Sequence, residues 1–153
     1  MGTHHKGTNK EVVALNTYIK LVRAVESLNR RLFPFLLKHG LSESQFSVME
    51  ALFHLGPMNQ RELSSKLLRS PGNMTMVIDN LEKRKYVKRE RGELDRRHYI
   101  IHLTDAGKEF IKKIFPEQVN AIVNELGVLT EQEQCQLQKM CKVIGVREGA
   151  GKQ

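Results

Sequence analysis

The chain has 153 residues, enough to bury a sizeable single core, and carries 25 Lys and Arg against 17 Asp and Glu, a net charge of +8. It holds no run of about 18 apolar residues that could cross a membrane and no apolar stretch near Met1 that could serve as a secretory leader, so a cytoplasmic protein is expected. Cys135 and Cys141, six positions apart in a helical stretch, would stand about 9 Å apart along the axis on different faces; they read as small packing residues, not as a bridge.

Residues 1–9 are set aside as a disordered N-terminus or an expression remnant. From about Lys10 to Leu37, apolar residues at Leu15, Ile19, Val22, Val25, Leu28 and Leu32 keep a helical period, and Pro34 is expected to end or kink that helix. After Gly40, Ser42 to Gln45 has the spacing of a capping box and opens a helix with Phe46, Met49, Leu52 and Phe53 on one face, closed by Gly56-Pro57. Asn59 with Glu62 repeats the capping pattern before Leu63 and Leu67. Ser70-Pro71 then supplies an N-cap and a proline at the first helical position, and the helix it opens runs through Met74, Val77, Ile78 and Leu81 to Lys85.

From Tyr86 the period changes. Val87, Tyr99, Ile101 and Leu103 flank Gly92-Glu93-Leu94-Asp95, the pattern of a β-hairpin with a charged tip. Thr104 caps a further helix with Phe110, Ile111, Ile114 and Phe115 as its stripe, kinked at Pro116 and continued by Val119, Ile122, Val123 and Leu126. Thr130 to Glu133 is a third capping box, starting a last helix through Leu137, Met140 and Ile144. The expected organisation is one unit over 10–146 with a frayed tail at 147–153: an α+β, mostly α, arrangement with no repeat and no linker.

Two short helices joined by a tight turn, the second opening on small polar residues, describe a helix-turn-helix. A recognition helix must present short donors and acceptors at its N-terminal end to reach base edges, and its unpaired N–H groups favour phosphates. Arg69, Ser70, Gly72, Asn73, Thr75 and Met76 suit that task. Taken alone, Ser70 as a plain cap and Asn73 as a solvated side chain fit equally well. The charge distribution favours DNA: between Lys83 and Arg97 stand eight basic residues against three acidic ones, five of the eight net charges in fifteen residues. A basic ribbon directly after a recognition helix is a wing, with Lys83, Arg91, Arg96 and Arg97 as phosphate or minor-groove contacts and Asp95 able to hold one guanidinium.

Asp95-Arg96-Arg97 followed by Leu103-Thr104-Asp105-Ala106-Gly107 resembles the D-x-R-x5-L-T-x-x-G wing signature of the MarR (multiple antibiotic resistance regulator) family. Gly56-Pro57 through Arg84 and Leu41 through Phe46 are similar to the same family's helix-turn-helix and second-helix opening. The resemblance implies a winged helix-turn-helix over 42–103, with helices in 10–40 and 104–146 interlocking across a two-fold axis. It implies Arg97 as the minor-groove arginine, Asp95 as its positioning partner, and Asn73, Thr75 and Met76 facing the major groove. One departure stands at Lys85, where many relatives carry glycine in a left-handed conformation; lysine there costs backbone strain. Apolar stripes in the first and last segments exceed what the small core can cover, so a homodimer on an inverted-repeat operator is expected.

The resemblance also implies an effector, a phenolic or otherwise lipophilic small molecule, an oxidant or a metal, with Tyr18, His39, Phe46 and Phe53 as candidate pocket residues. Oxidant sensing lacks a cysteine before position 135. For a metal, His39, His54, His98 and His102 are the available ligands; the last two lie about 13 Å apart on a strand, too far for one zinc at about 2.1 Å per bond, so no metal or other cofactor is expected. No nucleophile elbow, phosphate loop or HExxH motif supports an enzyme. The expected function is a DNA-binding transcriptional repressor released by a small molecule; the alternative is an effector-independent architectural or counter-silencing DNA-binding protein, with a protein adaptor disfavoured by the clustered arginines.

Overall fold

The computed structural model describes residues 2–92 and 99–146. In chain order it contains α1 (Asn9–Lys38), α2 (Glu43–Leu55), β1 (Met58–Asn59), α3 (Gln60–Lys66), α4 (Pro71–Lys83), β2 (Val87–Arg91), β3 (Tyr99–Leu103), α5 (Asp105–Leu126) and α6 (Glu131–Gly145). The chain divides into two compact units, Met1–Gln118 and Val119–Gln153, with α5 crossing the boundary.

In the first unit the helix starts are set locally. Ser42 accepts from the Gln45 N–H at 3.2 Å while the Gln45 side chain accepts from the Ser42 N–H at 3.0 Å. Asn59 and Glu62 make the same reciprocal pair at 2.9 Å each. Both boxes satisfy N–H groups that a helix start leaves without a partner. A further box, Thr8 with Glu11, starts α1 at Asn9, inside the stretch the sequence reading set aside. Neither proline ends its helix: α1 runs through Pro34 to Lys38, and α5 runs through Pro116 to Leu126. Each proline removes one backbone bond, and burial of neighbouring side chains offsets it; Leu36, two positions past Pro34, is 2 % exposed.

The core gathers Leu36, Leu41, Val48, Met49, Met58, Leu63, Met74, Ile78, Leu81, Val87, Ile101, Ile111 and Ile114 among others, drawn from all helices of this unit and from all three strands. The hairpin pairs antiparallel with Val87 opposite Leu103 and Arg91 opposite Tyr99. A third strand was not foreseen: β1 pairs with the other edge of β3, Met58 opposite Ile101, giving the order β1-β3-β2. This makes β3 central, and Ile101 and Leu103 point inward at 0 % and 7 % exposure. A two-stranded ribbon is marginal alone; a third strand and a helical floor anchor its base.

Thr104 ties the hairpin to α5. Its N–H donates to the Tyr86 carbonyl at 3.0 Å, its hydroxyl donates to the Lys85 carbonyl at 2.6 Å, and the same oxygen accepts from the Gly107 N–H at 3.0 Å. In the second unit, Thr130 and Glu133 form the capping box read from sequence, and the Gln134 amide donates to the Leu126 and Leu129 carbonyls at 3.1 Å each. None of the residues of α6 is buried, and Cys135 and Cys141 are both exposed thiols on it.

Candidate nucleic-acid interface

The recognition helix α4 is amphipathic by register. Met74, Val77, Ile78 and Leu81, at i, i+3, i+4 and i+7, form its buried face. The complementary positions Ser70, Gly72, Asn73, Thr75 and Met76 are exposed together at its N-terminal end. Ser70 is the N-cap, accepting from the Asn73 N–H at 3.3 Å, and Pro71 occupies the first helical position. A Cβ added at Gly72 would meet nothing within 4 Å, so packing within the chain does not require glycine there. It leaves the backbone open to close approach from outside.

The turn between α3 and α4 is short and strained. Leu68 takes φ 50° and is 92 % exposed, and the Arg69 N–H donates to the Ser64 carbonyl at 3.0 Å. The Arg69 side chain pairs with Glu43 at the start of α2, 3.0 Å apart, which orients the turn against that helix. Lys83 is exposed at the far end of α4, and Lys85 beyond it takes φ 61°, the left-handed conformation expected for this position. The expected continuation of α4 to Lys85 stops short for that reason; the helix ends at Lys83.

Arg89 joins the base of the wing to the recognition helix, a role the sequence reading missed. Its N–H donates to Glu82 at 3.1 Å, and its guanidinium reaches Asp79 and Glu82 at 2.5 Å each. Burial works against the charge of Arg89, yet the hydrogen bonds to the two carboxylates outweigh it and hold its pKa above the usual arginine value. Its charge pattern alone looked like one more wing cation. Only the fold shows that both its partners lie one turn apart on α4. Gln60 was missed likewise: from the first position of α3 its amide donates to the Thr75 hydroxyl at 2.6 Å. On the neighbouring strands Lys88 and His102 face Glu90 at 2.6 and 3.3 Å, and Arg91 is exposed at the end of β2. Asp95, Arg96, Arg97 and His98 lie outside the described residues.

The candidate effector residues occupy separate settings. Phe46 is a core side chain at 6 % exposure, whereas Tyr18 is 65 % exposed on α1. His39 packs edge-on to Phe35 and Phe110, with ring centres 4.8 and 6.3 Å away, and Phe53 packs against His54 at 5.0 Å. Phe110 in turn stacks on Tyr86 at 4.6 Å, and Arg84 lies over the Tyr86 ring at 4.8 Å while donating to the Gly40 carbonyl. A cleft of about 400 Å³ opens elsewhere, lined by Asn59, Gln60, Arg61, Ser64, Pro71, Arg89 and Tyr99. A second, of about 510 Å³, runs along α1 between Lys20 and Arg30. Neither cleft includes the four candidates.

Comparison with known proteins decides the assignment. The MarR family profile matches residues 41–99. The chain is 35 % identical over 140 residues to the HTH-type transcriptional regulator YkoM of Bacillus subtilis, covering 90 % of this chain and 91 % of that protein. The chain belongs to the MarR family. A second relative, the HTH-type transcriptional regulator MhqR of Bacillus subtilis, is 32 % identical over 133 residues, covering 87 % of this MarR-family chain and 92 % of MhqR. The same fold is found in AbsC, a MarR family transcriptional regulator from Streptomyces coelicolor, with a TM-score of 0.79 at 24 % identity over 92 % of this chain and 95 % of AbsC. It is found again in NadR in complex with 4-hydroxyphenylacetate, with a TM-score of 0.74 at 20 % identity over 97 % of this chain and 99 % of NadR. The six helices and the small antiparallel sheet of the described residues are thus a MarR winged helix, and the chain is a DNA-binding transcriptional regulator of that family. Among the described residues, no helix is long and apolar enough to cross a membrane.

Proposed function

We propose that this chain represses transcription as a homodimer on an inverted-repeat operator and leaves it when a small phenolic or lipophilic molecule binds. The observation that carries the DNA contact is the exposed polar end of α4, Ser70 to Met76, capped and held over a buried face. In this reading Asn73, Thr75 and Met76 meet base edges, while Arg69, Lys83 and Arg91 meet phosphates. Asp95, Arg96 and Arg97 act at the minor groove, an assignment that rests on the wing signature in the sequence.

The dimer rests on surface composition. Val13, Leu15, Tyr18 and Val25 are exposed on α1, and Leu137, Met140, Val143 and Ile144 are exposed on α6, at positions where a second copy would cover them. Helices in 10–40 and 104–146 then form the dimer, with 42–103 as the DNA-binding lobe. A phenolic effector is supported by NadR, which was crystallised with 4-hydroxyphenylacetate. The test is selection of bound duplexes from a random library, followed by footprinting of the tightest one. A protected inverted repeat is expected. Uniform weak binding without a motif would favour the architectural alternative. At fixed salt, Arg97→Ala should weaken binding to the selected site by about 1–3 kcal/mol; unchanged affinity would remove Arg97 from the interface.

A further inference from the structure

Thr75 is exposed, and its hydroxyl is engaged on two sides. It donates to the Pro71 carbonyl one turn back at 3.0 Å, and it accepts from the Gln60 amide at 2.6 Å. The same Gln60 nitrogen lies 3.4 Å from the Pro71 carbonyl. A carbonyl oxygen only accepts, so the Gln60 group facing it is the NH2 and not the amide oxygen. Because that NH2 only donates, the Thr75 proton cannot turn toward Gln60; the Pro71 carbonyl is the acceptor placed to take it. A hydroxyl has one proton and two lone pairs. With the proton on Pro71 and one lone pair on Gln60, Thr75 has one lone pair to offer outside the chain.

We infer that Gln60 is a positioning residue for sequence readout, which together with the Pro71 carbonyl biases Thr75 toward accepting and directs it to the exocyclic amino group of an adenine or a cytosine. In the major groove those amino groups are the only base-edge donors; guanine N7 and O6, adenine N7 and thymine O4 all accept. A freely rotating threonine would accommodate either kind of group. Gln60 stands fifteen residues before Thr75, on the preceding helix, and need touch no DNA itself. The inference rests on the proposed seating of α4 in the major groove.

The full chain, its Thr75→Val, Gln60→Leu and doubly substituted variants are each taken through selection from a random duplex library. The position flattened by Thr75→Val is then probed with duplexes in which purine replaces adenine, or pyrimidin-2-one replaces cytosine, removing only the amino group. Loss of that group should weaken the unsubstituted protein roughly threefold to tenfold. It should weaken Thr75→Val not at all and Gln60→Leu by less than the unsubstituted protein, while preferences at every other position persist and the double variant goes no further than Thr75→Val. Those persisting preferences also show that each variant is folded. Equal losses for the unsubstituted protein and Gln60→Leu overturn the inference, as does a Thr75 contact that depends on purine N7, read with 7-deazapurine, instead of on the amino group. A motif with no Thr75-dependent position overturns the inference alone; absence of any motif with the unsubstituted protein overturns the DNA reading beneath it.

Discussion

At Lys85 the backbone sits at φ 61°, a conformation that costs a residue with a Cβ about 1–2 kcal/mol and costs glycine little. Part of the relief from a glycine is offset by its larger freedom in the unfolded chain, so Lys85→Gly should stabilise the protein by about 0.5–1 kcal/mol, read as a higher urea midpoint at unchanged slope. Gly107 is the opposite case. A Cβ there would overlap the Tyr86 carbonyl oxygen and come within 2.9 Å of its carbonyl carbon, and that carbonyl is held by the Thr104 N–H. Backbone so placed cannot yield as a side-chain tip would, and Gly107→Ala should cost about 2–3 kcal/mol in the same measurement. Both glycine-dependent sites were legible in the sequence, Lys85 as a departure from the family pattern and Gly107 as part of the wing signature. The bond from Gln60 to Thr75 was not: the two residues stand fifteen apart in the chain and meet only when α3 packs beside α4.

Element boundaries follow from short-range chemistry. Each capping box is completed within four residues, which is why those at Ser42, Asn59 and Thr130 could be read before any packing was known. At α6 the Thr130 N–H and hydroxyl both donate to Glu133, and these bonds hold the Glu133 carboxyl below its ordinary pKa of 4.5. A depressed folded-state pKa means the cap is fully made above about 4.5 and is lost as pH falls through the lowered value. Glu133→Gln keeps an acceptor without a titration. Relative to the intrinsic exchange rate at each pH, amide protection at the start of α6 should therefore fall below that pH in the unsubstituted protein and stay level in the variant; an equal fall in both would assign the effect to another group. The strand β1 left no such trace. Two residues are too few to show alternation, and Met58-Asn59 becomes a strand only because the free edge of β3 lies beside it. Of the two prolines, Pro116 lies inside a helix that continues to Leu126, as its apolar stripe indicated, and Pro34 does not end α1, because the local penalty is offset by packing further along the helix.

For the whole molecule the question is what covers α6. Its fifteen residues include none that is buried, and an isolated helix of that length is marginal in water. Leu137, Met140, Val143 and Ile144 are exposed on it, apolar surface that the proposed dimer would cover. Ending the chain after Leu126 should convert a dimer to a monomer in sedimentation; an intact dimer would place the self-association elsewhere. The sequence by itself determined the order of the helices and the hairpin, the caps at Ser42, Asn59, Ser70 and Thr130, the buried register of α4 and the family, because these are carried by spacings of four residues or fewer, or by the contiguous wing signature. Tertiary structure alone decided that β1 completes the sheet, that Arg89 holds the wing base to α4 through Asp79 and Glu82, and that Gln60 orients Thr75. Those contacts join residues whose types allow many partners, and only the packing of one element on another, which no local pattern records, selects among them.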